Sequence, residues 1–97
     1  MKPSDALLRH REGILKILES FTLSNPRVFG STARNSDSER SDLDIVIDTQ
    51  VGSVSLFDLS RAKRQLEKLT GVSVDLVTFD SIRPELRDEV NREAKPL

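Results

Sequence analysis

The chain reads as a mixed α+β domain, a short β-sheet flanked by helices. Three observations point there. Three stretches carry apolar residues at helical spacing, short β-branched runs lie between them, and 97 residues with no internal repeat or linker leave room for one core, so residues 1–97 are expected to form a single domain.

The first helix is expected from Ser4 to Phe21. Leu7, Ile14, Leu18 and Phe21 recur at helical spacing, Ala6, Leu8, Leu15 and Ile17 widen the stripe, and Ser4 is placed to act as N-cap. Asn25-Pro26 breaks this pattern, because the residue before a proline is pushed out of the helical region. Arg27-Val28-Phe29 then reads as a short strand that Gly30-Ser31 ends sharply. Residues Thr32 to Ser41 are polar and lack an apolar face, which predicts a loop, with a local helical turn starting at Thr32-Ala33-Arg34.

Leu43 to Asp48 is the clearest strand. Leu43, Ile45 and Ile47 occupy one face, and Asp42, Asp44, Val46 and Asp48 the other. A second long helix is expected from about Ser55, where Ser55-Leu56-Phe57-Asp58 resembles a capping box and Leu59, Ala62, Leu66 and Leu69 supply the stripe. Gly71 is placed to terminate it. Val72 to Phe79 reads as a third strand, with Val74 and Leu76 alternating against Ser73, Asp75 and Val77. From Ser81, with Pro84 in the first turn, Ile82, Leu86, Val90 and Ala94 predict a closing helix.

Composition narrows the function classes. Fifteen basic and sixteen acidic residues leave a formal net charge of −1, so no whole-protein field attracts a polyanion and strong direct nucleic-acid binding is not expected. With no cysteine there is no disulfide, thiolate nucleophile or cysteine-ligated zinc, which fits a reducing cytoplasm. No segment has the length or apolarity of a signal region or a membrane span, so the protein is expected to be soluble, cytoplasmic and free of the membrane. The small size and 36% apolar content predict modest stability unless a partner or ligand adds to it.

The chemistry is concentrated in one stretch. Asp42 and Asp44, separated by one residue, project to the same side with Cα atoms roughly 6.5–7 Å apart. Like charges that close are unfavourable unless a cation or a proton relieves them, and hard oxygen donors suit Mg²⁺. Mg²⁺ usually shares its ligands between one or two carboxylates and substrate phosphates, which directs attention to the turn at Gly30-Ser31. Glycine lets a backbone approach a phosphate, serine adds a hydroxyl, and Arg34 lies close enough in sequence to contribute a guanidinium. Asp75 could join the two carboxylates if its strand were their neighbour. Taken singly, each feature has an ordinary explanation: a turn, surface alternation, an edge-strand face, a solvated arginine. His10, on a charged helix face, is assigned no role.

The conjunction is specific. Gly30-Ser31, a spacer of ten residues, then Asp42-Leu43-Asp44 opening an apolar strand resembles the signature of the nucleotidyltransferase superfamily that includes DNA polymerase β. The resemblance extends through Val74-Asp75-Leu76-Val77-Thr78, similar to a third-carboxylate strand, and Ile82-Arg83-Pro84-Glu85-Leu86-Arg87, similar to a closing helix. This narrows it to the minimal nucleotidyltransferases, often antitoxins of HEPN-domain ribonuclease toxins.

That resemblance implies the small nucleotidyltransferase fold and the transfer of AMP from ATP to a hydroxyl, tyrosine in some systems, of a partner toxin in a hetero-oligomer. It implies that Gly30, Ser31 and Arg34 hold the triphosphate, that Asp42, Asp44 and Asp75 ligate Mg²⁺, and that Asp75 helps to activate the acceptor. Many relatives have glycine where this chain has Asn35, and asparagine tolerates left-handed backbone well. The acidic run Asp37-Ser38-Glu39-Arg40 is a second departure, and it bears on acceptor recognition. The rival readings are an antitoxin that neutralises its toxin by binding alone and, less favoured for so short a chain, transfer to a small molecule such as an aminoglycoside or polymerisation.

Overall fold

Leu43, Ile45 and Ile47 have no solvent exposure, and the architecture is arranged to cover them. The computed structural model describes residues 1–49 and 54–97. Its elements run α1 (Pro3–Ser20), β1 (Ser24–Phe29), α2 (Gly30–Ala33), β2 (Leu43–Asp48), α3 (Leu56–Thr70), β3 (Val74–Thr78), a 3-10 turn (Phe79–Ser81), α4 (Pro84–Glu93) and β4 (Lys95–Pro96). This is the mixed α+β arrangement expected, a four-stranded sheet with helices packed on it.

The strands lie in the order β3-β2-β1-β4. β1 pairs antiparallel with both β2 and β4, whereas β2 and β3 are parallel, as their connection through α3 requires. Ile14 and Leu18 of α1, Ala62 and Leu66 of α3, Val28 of β1 and Val74 of β3 cluster with the three apolar residues of β2. The alternation of β2 thus sends one set of side chains into this core and leaves the other set on the opposite face. Val46, on that second face, is also fully buried, and the 3-10 turn contacts its strand.

Local chemistry explains most boundaries. The capping box expected at α3 is present: the Ser55 hydroxyl accepts the Asp58 N–H at 3.1 Å, and the Asp58 carboxylate accepts the Ser55 N–H. Gly71 ends the helix in the left-handed conformation, φ 74°. The N-cap of α1, expected at Ser4, is Lys2. Proline favours the first helical position, so the helix starts at Pro3, and the Ser4 N–H is capped across the fold by the Asp37 carboxylate at 2.8 Å. β1 begins three residues earlier than its sequence suggests. Asn25 takes a positive φ of 49°, and the register shifts between Ser24 and Arg27, an irregularity that accommodates Pro26 in the strand.

Two further differences concern the C-terminus. The closing helix starts at Pro84 because Arg83 before it is held extended, and residues 79–81 form a separate turn. The terminal strand β4, absent from the sequence reading, pairs Lys95 with Val28 and Pro96 with Arg27, and the Leu97 N–H donates to the Pro26 carbonyl at 3.1 Å. Among the described residues no helix is long and apolar enough to cross a membrane.

Truncating Ile45 to alanine removes the centre of the buried row. Ile45→Ala should lower unfolding free energy by about 2–5 kcal/mol in equilibrium denaturation. A loss below about 1 kcal/mol would show that this face is not the core.

Candidate active site

The register brings together residues that lie far apart in the chain. Antiparallel pairing sets Phe29 opposite Asp44, and parallel pairing sets Asp75 opposite Asp44 on the other side. Residues opposite one another on neighbouring strands share a face, so Asp44 and Asp75 project to the same side of the sheet. The adjacency of Asp75, conditional in the sequence, is therefore met. Its strand is pinned at the start, where the Glu67 carboxylate accepts the Val74 N–H at 3.0 Å. Asp42 lies just before β2, which begins as the Leu43 N–H donates to the Ser73 carbonyl at 2.8 Å.

Gly30 follows Phe29 directly and so falls against Asp44. Its φ is 70°, in the left-handed region, and a Cβ placed there would collide with Oδ2 of Asp44. Only glycine meets both conditions without strain. The turn continues as α2, with the Arg34 N–H bonded to the Gly30 carbonyl at 3.1 Å and the Ser36 N–H to the Ser31 carbonyl at 2.9 Å. Asn35 adopts φ 59°, the left-handed geometry for which asparagine is suited. The Ser31 backbone is thus fixed, and no hydrogen bond of its hydroxyl occurs among the described residues. Asp37, within the spacer, anchors the loop to the start of α1.

The electrostatics separate two carboxylates on one strand. Asp48 accepts both terminal nitrogens of Arg27, at 3.1 and 3.3 Å, and the Asn25 amide at 2.9 Å. The Arg27 and Asn25 hydrogen bonds hold it below the usual carboxylate range. Asp44 is pushed up to about 6, first by burial, then by the charges of Asp75 and Asp42, with Arg34 opposing. Asp48 is neutralised within the fold, whereas Asp44 carries repulsion that Arg34 offsets only in part.

Hard carboxylate oxygens in mutual repulsion, beside a glycine cradle with no room for a side chain, are a donor set that suits Mg²⁺. Among the described residues, no three acidic or histidine side chains form a closed metal cage. The two observations agree if the ion takes one or two carboxylates and completes its shell with phosphate oxygens, which is the usual habit of Mg²⁺.

Arg34 is more committed than its sequence position suggests. Its Nη1 donates to Oε2 of Glu93 at the end of α4, 3.0 Å away. No sequence signal marks Glu93, 59 positions from its partner. The trans cap by Asp37 was equally hidden, since it depends on two loops meeting.

Two measurements probe this geometry. Gly30→Ala must place a side chain at positive φ and displace the Asp44 carboxylate, so it should cost at least about 1–2 kcal/mol in denaturant, and an unchanged midpoint would contradict the close approach. The second concerns pH. Asp44 binds its proton more tightly folded than unfolded, so its ionisation destabilises the fold as pH rises from about 4 through about 6. Asp44→Asn should therefore be more stable than wild type above pH 6 without divalent ions, with the gain shrinking towards pH 4. A pH-independent difference would count against the repulsion.

Comparison with known proteins agrees with the geometry. Residues 11–97 match the family model of the "Nucleotidyltransferase domain". A Methanocaldococcus jannaschii protein named "Putative protein adenylyltransferase" is 42% identical over 81 residues, covering 84% of this chain and 86% of that protein. A solved structure described as a "putative minimal nucleotidyltransferase" superposes with a TM-score of 0.86 at 40% identity, over 97% of this chain and 95% of the other. A toxin-antitoxin structure with AMP-PNP superposes at 0.71 and 25% identity, over 86% and 68% of the two chains. The Gly30-Ser31 turn, the carboxylates beside it and these similarities converge: the chain belongs to the nucleotidyltransferase domain family, among its minimal members, and is a nucleotidyltransferase.

Proposed function

We propose that the enzyme transfers AMP from ATP to a side-chain hydroxyl, tyrosine foremost, of a HEPN-domain toxin with which it forms a hetero-oligomer, in a Mg²⁺-dependent reaction. The observation that carries the reading is the contact of Gly30 with Asp44, beside Asp42 and Asp75, which sets a backbone turn against a cluster of carboxylates whose repulsion is only partly offset. The kinship with a protein named as a protein adenylyltransferase supports the acceptor class. The similarity to a toxin-antitoxin assembly with AMP-PNP supports both partner and nucleotide.

In this reading the Gly30-Ser31 turn holds the triphosphate through its backbone and the Ser31 hydroxyl, and Arg34 offsets phosphate charge. Asp42 and Asp44 hold Mg²⁺, with Asp75 completing the acidic set. When bound, the ion neutralises phosphate charge and favours departure of pyrophosphate. Asp75 would accept the proton of the incoming hydroxyl. The hydroxyl oxygen bonds to the α-phosphorus as the bond to the bridging oxygen of pyrophosphate breaks, and the proton passes from Asp75 to solvent. The protein's contribution is positioning and charge compensation, not covalent chemistry. A reducing cytoplasm, consistent with the absence of cysteine, is the location that this partnership implies.

The test uses the intact protein, ATP, Mg²⁺ and the HEPN-domain product of a neighbouring gene. The partner should gain AMP-sized increments in intact mass, and Asp42→Asn should slow the gain by about 100-fold or more while leaving the fold intact, since Asp42 is exposed. Neutralisation of the toxin without any mass gain would replace this reading with inhibition by binding.

A further inference from the structure

Arg34 and Glu93 are held near one another by independent parts of the fold. Arg34 ends the α2 turn, which starts at the end of β1. Glu93 ends α4, and two residues later Lys95 pairs with Val28 of that same β1. Both side chains therefore hang from the end of one strand. Their contact uses a single nitrogen, Nη1, at 3.0 Å, and among the described residues Nε and Nη2 of Arg34 have no hydrogen-bond partner. Arg34 is 52% exposed and Glu93 30% exposed, so the pair is open to solvent and to a ligand. The Arg34 charge is also felt at Asp44, which places the guanidinium within electrostatic reach of the carboxylate cluster.

A guanidinium has five donors in a planar fork, and a single carboxylate contact at one nitrogen fixes its orientation without consuming the rest. We propose that Glu93 is a positioning residue of the nucleotide site, holding Arg34 by Nη1 so that Nε and Nη2 remain available to a phosphate of the nucleoside triphosphate. The inference rests on Arg34 being a phosphate ligand, as in the proposed function. It assigns to the end of α4 a share in nucleotide binding that a sequence motif does not reveal. A flexible exposed arginine loses side-chain entropy on meeting a phosphate, and a pre-formed contact lowers that loss.

The experiment is a calorimetric titration of Mg²⁺-ATP into the protein without its partner, for wild type, Glu93→Ala, Glu93→Gln, Arg34→Ala and the double variant Arg34→Ala/Glu93→Ala. Glu93→Ala should weaken binding about 2- to 5-fold, the range expected for an exposed ion pair. Glu93→Gln, which keeps an acceptor oxygen, should recover most of that loss. In the Arg34→Ala background Glu93→Ala should change nothing further, an outcome that a merely structural role would not produce. Unchanged or tighter binding in Glu93→Ala, or the same loss in both backgrounds, overturns the inference while leaving the nucleotide site in place. Unchanged binding in Arg34→Ala instead removes Arg34 from the nucleotide site, and the inference with it.

Discussion

The pairing of Phe29 with Asp44 is the constraint on which the rest of the molecule depends. It carries the chain from β1 into Gly30 at the one point where the backbone meets the Asp44 carboxylate, so a residue with no side chain is required there. A slip of one residue would turn Leu43, Ile45 and Ile47 outwards and the aspartates into the core. Burial of the apolar row therefore enforces the register that builds the site. The core and the carboxylate cluster here share one strand.

The two aspartates at the ends of β2 show how a fold can give two carboxylates of one strand opposite electrostatic environments. Asp48 is surrounded by donors from Arg27 and Asn25 and is held below its ordinary range. Asp44 faces Asp75 and Asp42, is half-buried, and is pushed to about 6. Water could screen three fully exposed carboxylates at little cost, but partial burial of the central one makes the repulsion expensive. Perturbed carboxylates of this kind cluster at functional sites more often than elsewhere on a protein surface.

The C-terminal segment links the Gly30-Ser31 turn to the scaffold. β4 extends the sheet by only two residues, yet it returns the end of α4 to the strand that leads into the Gly30-Ser31 turn. α4 has no fully buried residue, and its contacts with the rest are comparatively thin. Its position is set by β4, by the Arg87 guanidinium bonded to the Ile82 and Asp80 carbonyls at 3.0 Å, and by the Arg34–Glu93 pair. Elements with few buried contacts are the ones whose arrangement can respond to a ligand or partner.

Periodicity determined the strand Leu43–Asp48, and end-of-helix chemistry the capping box at Ser55 and the left-handed stop at Gly71. Each is written in residues within a few positions of one another, where local sterics and hydrogen bonding decide the outcome. The spacing of Gly30, Ser31, Asp42 and Asp44 likewise carried the family signature. Asp75 was legible as a charge interrupting an apolar strand, but its place beside Asp44 was not, because strand order is set by which faces bury together and not by any local preference. The Ser4–Asp37 cap, the bulge at Asn25, the strand Lys95–Pro96 and the Arg34–Glu93 contact were hidden for the same reason. Each joins groups distant in sequence, through interactions that exist only once the apolar core has closed and brought them within reach.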